Sequence, residues 1–161
     1  MFVLFEEMPR DSRVWIYQAD RTLSPAEIKL VEDHTQQFLE QWSAHGEGLK
    51  CSRTLLHHRF LVISVDENHH AASGCSIDSS VHFITELGRQ LGIDWFNRTK
   101  IAFIVNSEVF IENKIDLKQK IAEGKINSDT LTFNNLVTNI EEFEQNWLIP
   151  AGDSWLSRFF I

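Results

Sequence analysis

The residues best suited to chemistry in this sequence lie in one segment, Asp66 to Ser80, where a predicted strand gives way to a predicted helix. Within it, Ser73-Gly74-Cys75-Ser76 places small and hydroxyl-bearing side chains at the start of that helix. The first amides of a helix lack partners inside it and lie at the positive end of its dipole, so they favour an anion. The same field would stabilise a Cys75 thiolate. We therefore expect Ser73, Gly74, Cys75 and Ser76 to bind a small anionic ligand, with Cys75 as a candidate catalytic residue.

A carboxylate in the same segment suggests a second chemistry. Asp66 directly follows a predicted strand, and acidic side chains at strand ends often hold metals or act as bases. It is the second candidate for a catalytic role. A Mg²⁺ site would require further carboxylates to converge on Asp66, and the candidates are Glu67 with Asp20 or Asp78.

Each of these side chains also has a purely structural explanation. Ser76 and Ser79 are common cap residues at a helix start. Most free cysteines are small buried apolar residues, and this structural reading is the favoured one for Cys75. The adjacent His69 and His70 point in divergent directions, so a solvated loop explains them better than a shared metal ion.

Hydrophobic spacing predicts the elements that position this segment. Val14 to Gln18 is β-branched and aromatic, as in a strand. Ser24, Pro25 and Glu27 form a strong helix start, and apolar residues at helical spacing extend that helix to about His45. Residues 51–56 and 60–65 indicate two strands joined at His57-His58-Arg59. This turn lacks the usual Gly or Asn, which leaves a single long strand as an alternative. A second helix runs from about Ser76 to Leu91.

The second half of the chain is also predicted to contain both strands and helices. Strands are predicted at 100–105 and 108–111, with Asn106-Ser107 as a two-residue turn between them. Short helices are predicted at about 114–123 and after Asn139. Pro150 interrupts the pattern, and the tail that follows it is expected to pack back onto the body of the protein.

The element order predicts a single α+β domain with a ferredoxin-like βαββαβ core, an added hairpin strand and a C-terminal helical extension rich in aromatic residues. In this arrangement we expect the first and third strands to lie side by side and parallel at the centre of the sheet. The loops at their C-terminal ends, 18–22 and 66–76, would then be neighbours. On that basis Arg21 joins the predicted ligand-binding residues.

The net charge and the cysteine content limit which classes of partner and which cellular compartment we expect for this protein. A net charge of −8 argues against a nucleic-acid binder, and the nearest approach to a basic patch is Arg53, His57, His58 and Arg59. Two lone cysteines, Cys51 and Cys75, indicate reduced thiols. We find no signal peptide and no apolar run of membrane-spanning length. The sequence predicts a cytoplasmic protein with no membrane partner.

Four separated segments resemble a family of short bacterial proteins of uncharacterised activity that are often labelled "ABC transporter ATPase": 11–21, 72–81, 131–137 and 153–156. The resemblance covers nearly the whole chain. The residues themselves argue against ATP hydrolysis of the ABC kind, because no phosphate-cradling Gly-x-x-x-x-Gly-Lys loop is present. Gly124-Lys125 has Gln119 where the first glycine of that loop should stand.

Two functions from different classes remain. The first is binding of a small anionic ligand at the start of the second helix, with Arg21 as the charge partner. The second is an interaction module or homodimer that uses the C-terminal aromatic residues Trp147, Trp155, Phe159 and Phe160, since exposed aromatic patches mark interfaces. No cofactor is assigned.

Overall fold

A computed structural model describes all 161 residues of the chain. The helices are α1 (Pro25–Gln41), α2 (Gly74–Leu91), α3 (Leu117–Ala122) and α4 (Ile140–Asn146). The strands are β1 (Arg13–Gln18), β2 (Ser43–Ala44), β3 (Glu47–Gly48), β4 (Cys51–Leu56), β5 (Phe60–Val65), β6 (Lys100–Val105), β7 (Glu108–Asn113), β8 (Leu131–Phe133) and β9 (Leu148–Pro150). Short 3₁₀ turns at Phe5–Glu7, Lys114–Asp116, Ala151–Asp153 and Trp155–Phe160 complete the chain. The α+β class is confirmed.

The first sheet has the strand order β1-β5-β4. The hairpin between β4 and β5 is as predicted, so the alternative of one long strand is wrong. β5 lies between β1 and β4 and runs antiparallel to both. The expected parallel pairing of the first and third strands is therefore wrong. After helix α1, strand β4 runs parallel to β1 but is not next to it. The tight hairpin then reverses the chain, and β5 lies between β1 and β4.

The second half of the chain builds a separate sheet with the order β7-β6-β8-β9. β6 forms the predicted hairpin with β7 across Asn106-Ser107, and its other edge pairs with β8. A complete ferredoxin-like sheet would require the strand after α2 to join the first sheet, and β6 does not. β8 and β9 were not predicted, because strands of three residues carry too little periodicity.

The first helix begins as predicted and ends earlier. Ser24 and Glu27 form the capping box, with Pro25 at the first helical position. The helix ends at Gln41 rather than near His45, because Trp42 is already extended and Ser43–Ala44 pairs with Glu47–Gly48. This small hairpin turns through His45 and Gly46, both of which have positive φ.

The two sheets pack face to face, with helices on their outer sides. One face of the first sheet packs on α1 and α2 through residues such as Leu39, Leu61, Ile63 and Ile84. Its other face meets the second sheet through Val14, Phe60, Val62, Ala102 and Phe133, and α4 closes this layer. The outer face of the second sheet is covered by α3 and the C-terminal 3₁₀ turn, so the tail packs back as predicted. None of the helices combines the length and apolarity needed to cross a bilayer.

Candidate functional site

The start of α2 is the site that the sequence favoured, and its hydroxyl groups are occupied by the helix itself. The Ser73 hydroxyl accepts from the Ser76 amide at 3.1 Å, and the Ser73 amide donates to the Ser76 hydroxyl at 2.8 Å. The Ser76 carbonyl is bound in turn by the Trp42 indole N–H at 2.8 Å. Gly74 and Cys75 are exposed. The two serines form a reciprocal capping box, so both hydroxyl groups serve the helix start.

Arg21 does not lie beside this helix start. Its guanidinium donates to both oxygens of Glu27 at 2.8 and 2.6 Å and to the carbonyl of Leu91 at 2.7 Å. Leu91 is the last residue of α2, roughly 25 Å along the helix from its first residue, Gly74. The Arg21 hydrogen bonds lower the pKa of Glu27 to about 2. Arg21 was expected near the start of α2 because β1 and β5 were expected to be parallel. Since the two strands are antiparallel, the loop after β1 lies near the C-terminal end of α2 instead.

The Asp66 side chain also has its partners within the protein. Its carboxylate is buried, lies 3.4 Å from the Lys50 ammonium and accepts from the Asn68 amide at 3.1 Å. Asp20 accepts from the amide of Asp94, and Asp78 is exposed on α2. No group of three or more His, Cys, Asp or Glu side chains converges in the structure, so the carboxylates that a Mg²⁺ site at Asp66 would require are not brought together.

The two cysteines lie in different surroundings. Cys75 is exposed in the first turn of α2, so the reading of it as a buried apolar residue does not hold. Cys51 is buried, and its thiol donates to the Leu39 carbonyl at 3.3 Å. Burial raises the pKa of the Cys51 thiol to about 11, against a smaller opposing effect of the N-terminal charge. Cys51 is a core residue.

A second candidate site lies between two hairpin turns that contain residues with positive φ, and it includes the buried, unpaired guanidinium of Arg59. The turns of the two long hairpins lie side by side and flank an open cleft of about 430 Å³, which we call the hairpin cleft. It is lined by Thr22, His57, His58, Arg59, Ser107, Glu108 and Val109. His57 and His58 both have φ of 53°, and Asn106 and Ser107 have φ of 52° and 66°. Left-handed backbone is uncommon for residues other than glycine, although Asn and His adopt it more readily than most. A tight hairpin turn requires positive φ at both of its central residues, so these conformations belong to the two turns that shape the cleft.

Arg59 forms the inner wall of the hairpin cleft, with only 6% of its surface exposed. Its Nη1 and Nη2 donate to the Ala19 carbonyl at 3.4 Å and to the Thr22 hydroxyl at 2.7 Å. Its buried Nε has no acceptor. Burial lowers the pKa of Arg59, and the charge of Asp20 opposes that effect. No carboxylate forms an ion pair with this guanidinium, although buried charges are normally paired.

His57 stands at the edge of the hairpin cleft on an aromatic platform. Its ring lies 5.5 Å from that of Phe133, 5.9 Å from Trp147 and 6.2 Å from Phe60. This partial burial lowers the pKa of His57, and the neighbouring His58 lowers it further. This shift favours the neutral imidazole of His57, which has one ring nitrogen that donates and one that accepts a hydrogen bond.

The sequence carries a signal for this cleft in His57, His58 and Arg59, which together with Arg53 are its nearest approach to a basic patch. In the structure Arg53 faces α1 and pairs with Glu32 at 3.5 Å, which separates it from the other three. The second turn, Asn106-Ser107, was predicted correctly, and only the packing of the two sheets reveals that it adjoins the first.

Comparison of this chain with protein-family models, with curated proteins and with solved structures finds no match.

Proposed function

We propose that this protein binds a small anion, a carboxylate or a phosphate group, in the hairpin cleft, with Arg59 as its charge partner. One observation carries the proposal. Arg59 is a buried guanidinium whose acceptors within the chain, the Ala19 carbonyl and the Thr22 hydroxyl, are both neutral. A buried arginine without a carboxylate partner is costly, and a bound anion would offset that cost with charge-assisted hydrogen bonds.

The other groups of the hairpin cleft suit the same ligand class. Thr22 and Ser107 bring hydroxyl groups, and the two histidines add ring nitrogens that can donate. The volume is in the range of small-molecule sites. Glu108 also lines the cleft. A ligand that carries a hydrogen-bond donor beside its anionic group could therefore bind Glu108 with the donor and Arg59 with the anion. Arg21, Ser73 and Ser76 take no part in this proposal because each is already matched within the fold.

The resemblance to the family labelled "ABC transporter ATPase" and the cytoplasmic location remain predictions from the sequence. Neither is needed for the proposed site. A cytoplasmic protein would meet phosphate esters and carboxylates at high concentration, which is consistent with an anion-binding role.

The test is anion-dependent thermal stability at constant ionic strength. Wild-type protein is melted with sodium phosphate, acetate, succinate or adenosine monophosphate, each matched against sodium chloride. A ligand at about 100 times its Kd stabilises a protein by about 2.7 kcal/mol, which for a chain of this size raises Tm by roughly 5–10 °C. We expect at least one of these anions to reach that shift, and Arg59→Met to abolish it.

Arg21→Met is the matched control, since it removes an exposed arginine that is paired with Glu27. Phosphate stabilises most proteins through exclusion from their surface, and Arg59→Met retains that general effect. An equal Tm shift in wild type and Arg59→Met, or no shift with any of the four anions, would disprove the proposal.

A further inference from the structure

A second surface, on the far side of the second sheet, has features of a docking site. A groove of about 460 Å³ is lined by Thr99, Asn113, Lys114, Ile115 and Phe159. Trp155 and Arg158, from the C-terminal 3₁₀ turn, stand next to it. We call the side chains of Lys114, Ile115, Trp155, Arg158 and Phe159 the C-terminal groove.

Two apolar side chains of the C-terminal groove are exposed to solvent. Ile115 is 90% exposed and Trp155 is 46% exposed. The Trp155 ring meets that of Phe159 edge to face, with centroids 6.4 Å apart. An isolated exposed apolar residue needs no explanation, but an aromatic residue and an isoleucine beside a groove mark an interface. Trp147, predicted to belong to this surface, is instead buried against Phe133 and Phe143.

The cations of the C-terminal groove indicate what would occupy it. Lys114 Nζ lies 5.6 Å from the centroid of Trp155, and the Arg158 guanidinium lies 5.7 Å from Trp155 and 5.1 Å from Phe159. Neither cation forms an ion pair, although the chain has a net charge of −8 and most of its other arginines are paired. Two unpaired cations beside exposed rings complement a ligand that is both acidic and apolar.

We propose that the C-terminal groove docks an acidic, apolar-anchored segment of another protein. An apolar side chain of that segment fills the space between Ile115 and Phe159. Its flanking carboxylates pair with Lys114 and Arg158, and its backbone lies across Trp155. The proposal is independent of anion binding in the hairpin cleft, because the two surfaces share no residue.

The experiment uses the full chain and fluorescence anisotropy of a labelled peptide of about twelve residues that repeats Glu-Glu-Leu, a length sufficient for one groove. We expect saturable binding that weakens with salt. Reversing both cations, Lys114→Glu with Arg158→Glu, should weaken binding at least tenfold, about 1.4 kcal/mol. The matched control reverses two exposed cations on the helical face, Lys29→Glu with Arg89→Glu, and should bind as wild type. Ile115→Ala, at a site too exposed to affect folding, should weaken binding with charge unchanged.

Three outcomes would overturn the proposal. The first is equal binding of a Lys-Lys-Leu peptide, or equal loss in the control pair. The second is tighter binding of an oligothymidylate of similar length, which would assign the rings to base stacking. The third is a mass that rises with concentration in sedimentation of the chain alone and is lost in the Lys114→Glu, Arg158→Glu variant, which would make a second copy the occupant.

Discussion

The start of α2 and the hairpin cleft both present hydrogen-bond donors that suit an anion, yet the chain uses those donors in different ways. At the helix start, Ser73 and Ser76 bind each other, and Trp42 holds the turn from below. In the hairpin cleft, Arg59 is buried with one nitrogen unmatched and no carboxylate in contact. A hydroxyl group can be satisfied by its own backbone, whereas a buried guanidinium needs an anion to neutralise it. The unmatched group is therefore the better indicator of a ligand.

The two regions also differ in how they are held, and the largest expected effect tests this. Phe60 is completely buried beneath the hairpin cleft, with its ring centroid 4.5 Å from Phe133 and 5.0 Å from Trp147. Phe60→Ala should lower the free energy of unfolding by about 3–5 kcal/mol, measured by urea denaturation, because it removes a whole ring from the core.

Phe96→Ala is the matched control for that substitution. Phe96 is 43% exposed, and its ring meets one other aromatic ring, that of Tyr17, at 5.7 Å between centroids. The loss should be about 1 kcal/mol. Equal losses at Phe60 and Phe96 would mean that the hairpin cleft does not stand on a rigid aromatic platform.

A smaller effect is expected at the start of α2. Ser73→Ala removes the cap that binds the Ser76 amide and should cost about 1 kcal/mol of stability. The same variant should keep the anion-dependent Tm shift of the wild type. Ser79→Ala, which removes only a hydroxyl bound to the Ser76 carbonyl, is the control and should change stability by less. Loss of the anion response in Ser73→Ala would return the ligand site to the helix start.

The local elements could be predicted from the sequence because each has a local cause. Residues 51–56 and 60–65 form strands with the predicted bounds, and the capping box at Ser24 begins α1. The relation between elements had no local cause. Nothing in residues 100–105 states whether that strand joins β1 or starts a second sheet, and this choice depends on the apolar inner faces that both sheets bury together.

The candidate site could not be predicted from the sequence for the same reason. Arginines are mostly exposed, so the sequence assigns Arg59 to a surface patch. Its burial arises because the loop before α1 folds over the turn, where the Leu23 amide donates to the His58 carbonyl and the Ala19 amide to that of Arg59. These hydrogen bonds join residues far apart in the sequence. Their existence follows from the antiparallel pairing of β1 with β5, which places Gln18 opposite Phe60.

The smallest expected effect concerns the pH dependence of the hairpin cleft, and it arises at His57. Burial against Phe60, Phe133 and Trp147 lowers the pKa of His57, so the folded protein binds fewer protons than the unfolded chain just below the usual histidine value of about 6.5. The stability that His57 contributes is therefore present above about pH 6.5 and is lost as the pH falls below that value.

His57→Asn keeps a residue that tolerates positive φ and removes the titration. Urea denaturation between about pH 5 and 8 should show a shallower loss of stability on acidification in His57→Asn than in wild type. His58→Asn has the same backbone conformation but no contact with the platform, so it should change the slope less. A slope that changes equally in both variants would show that the aromatic platform does not set the protonation of His57.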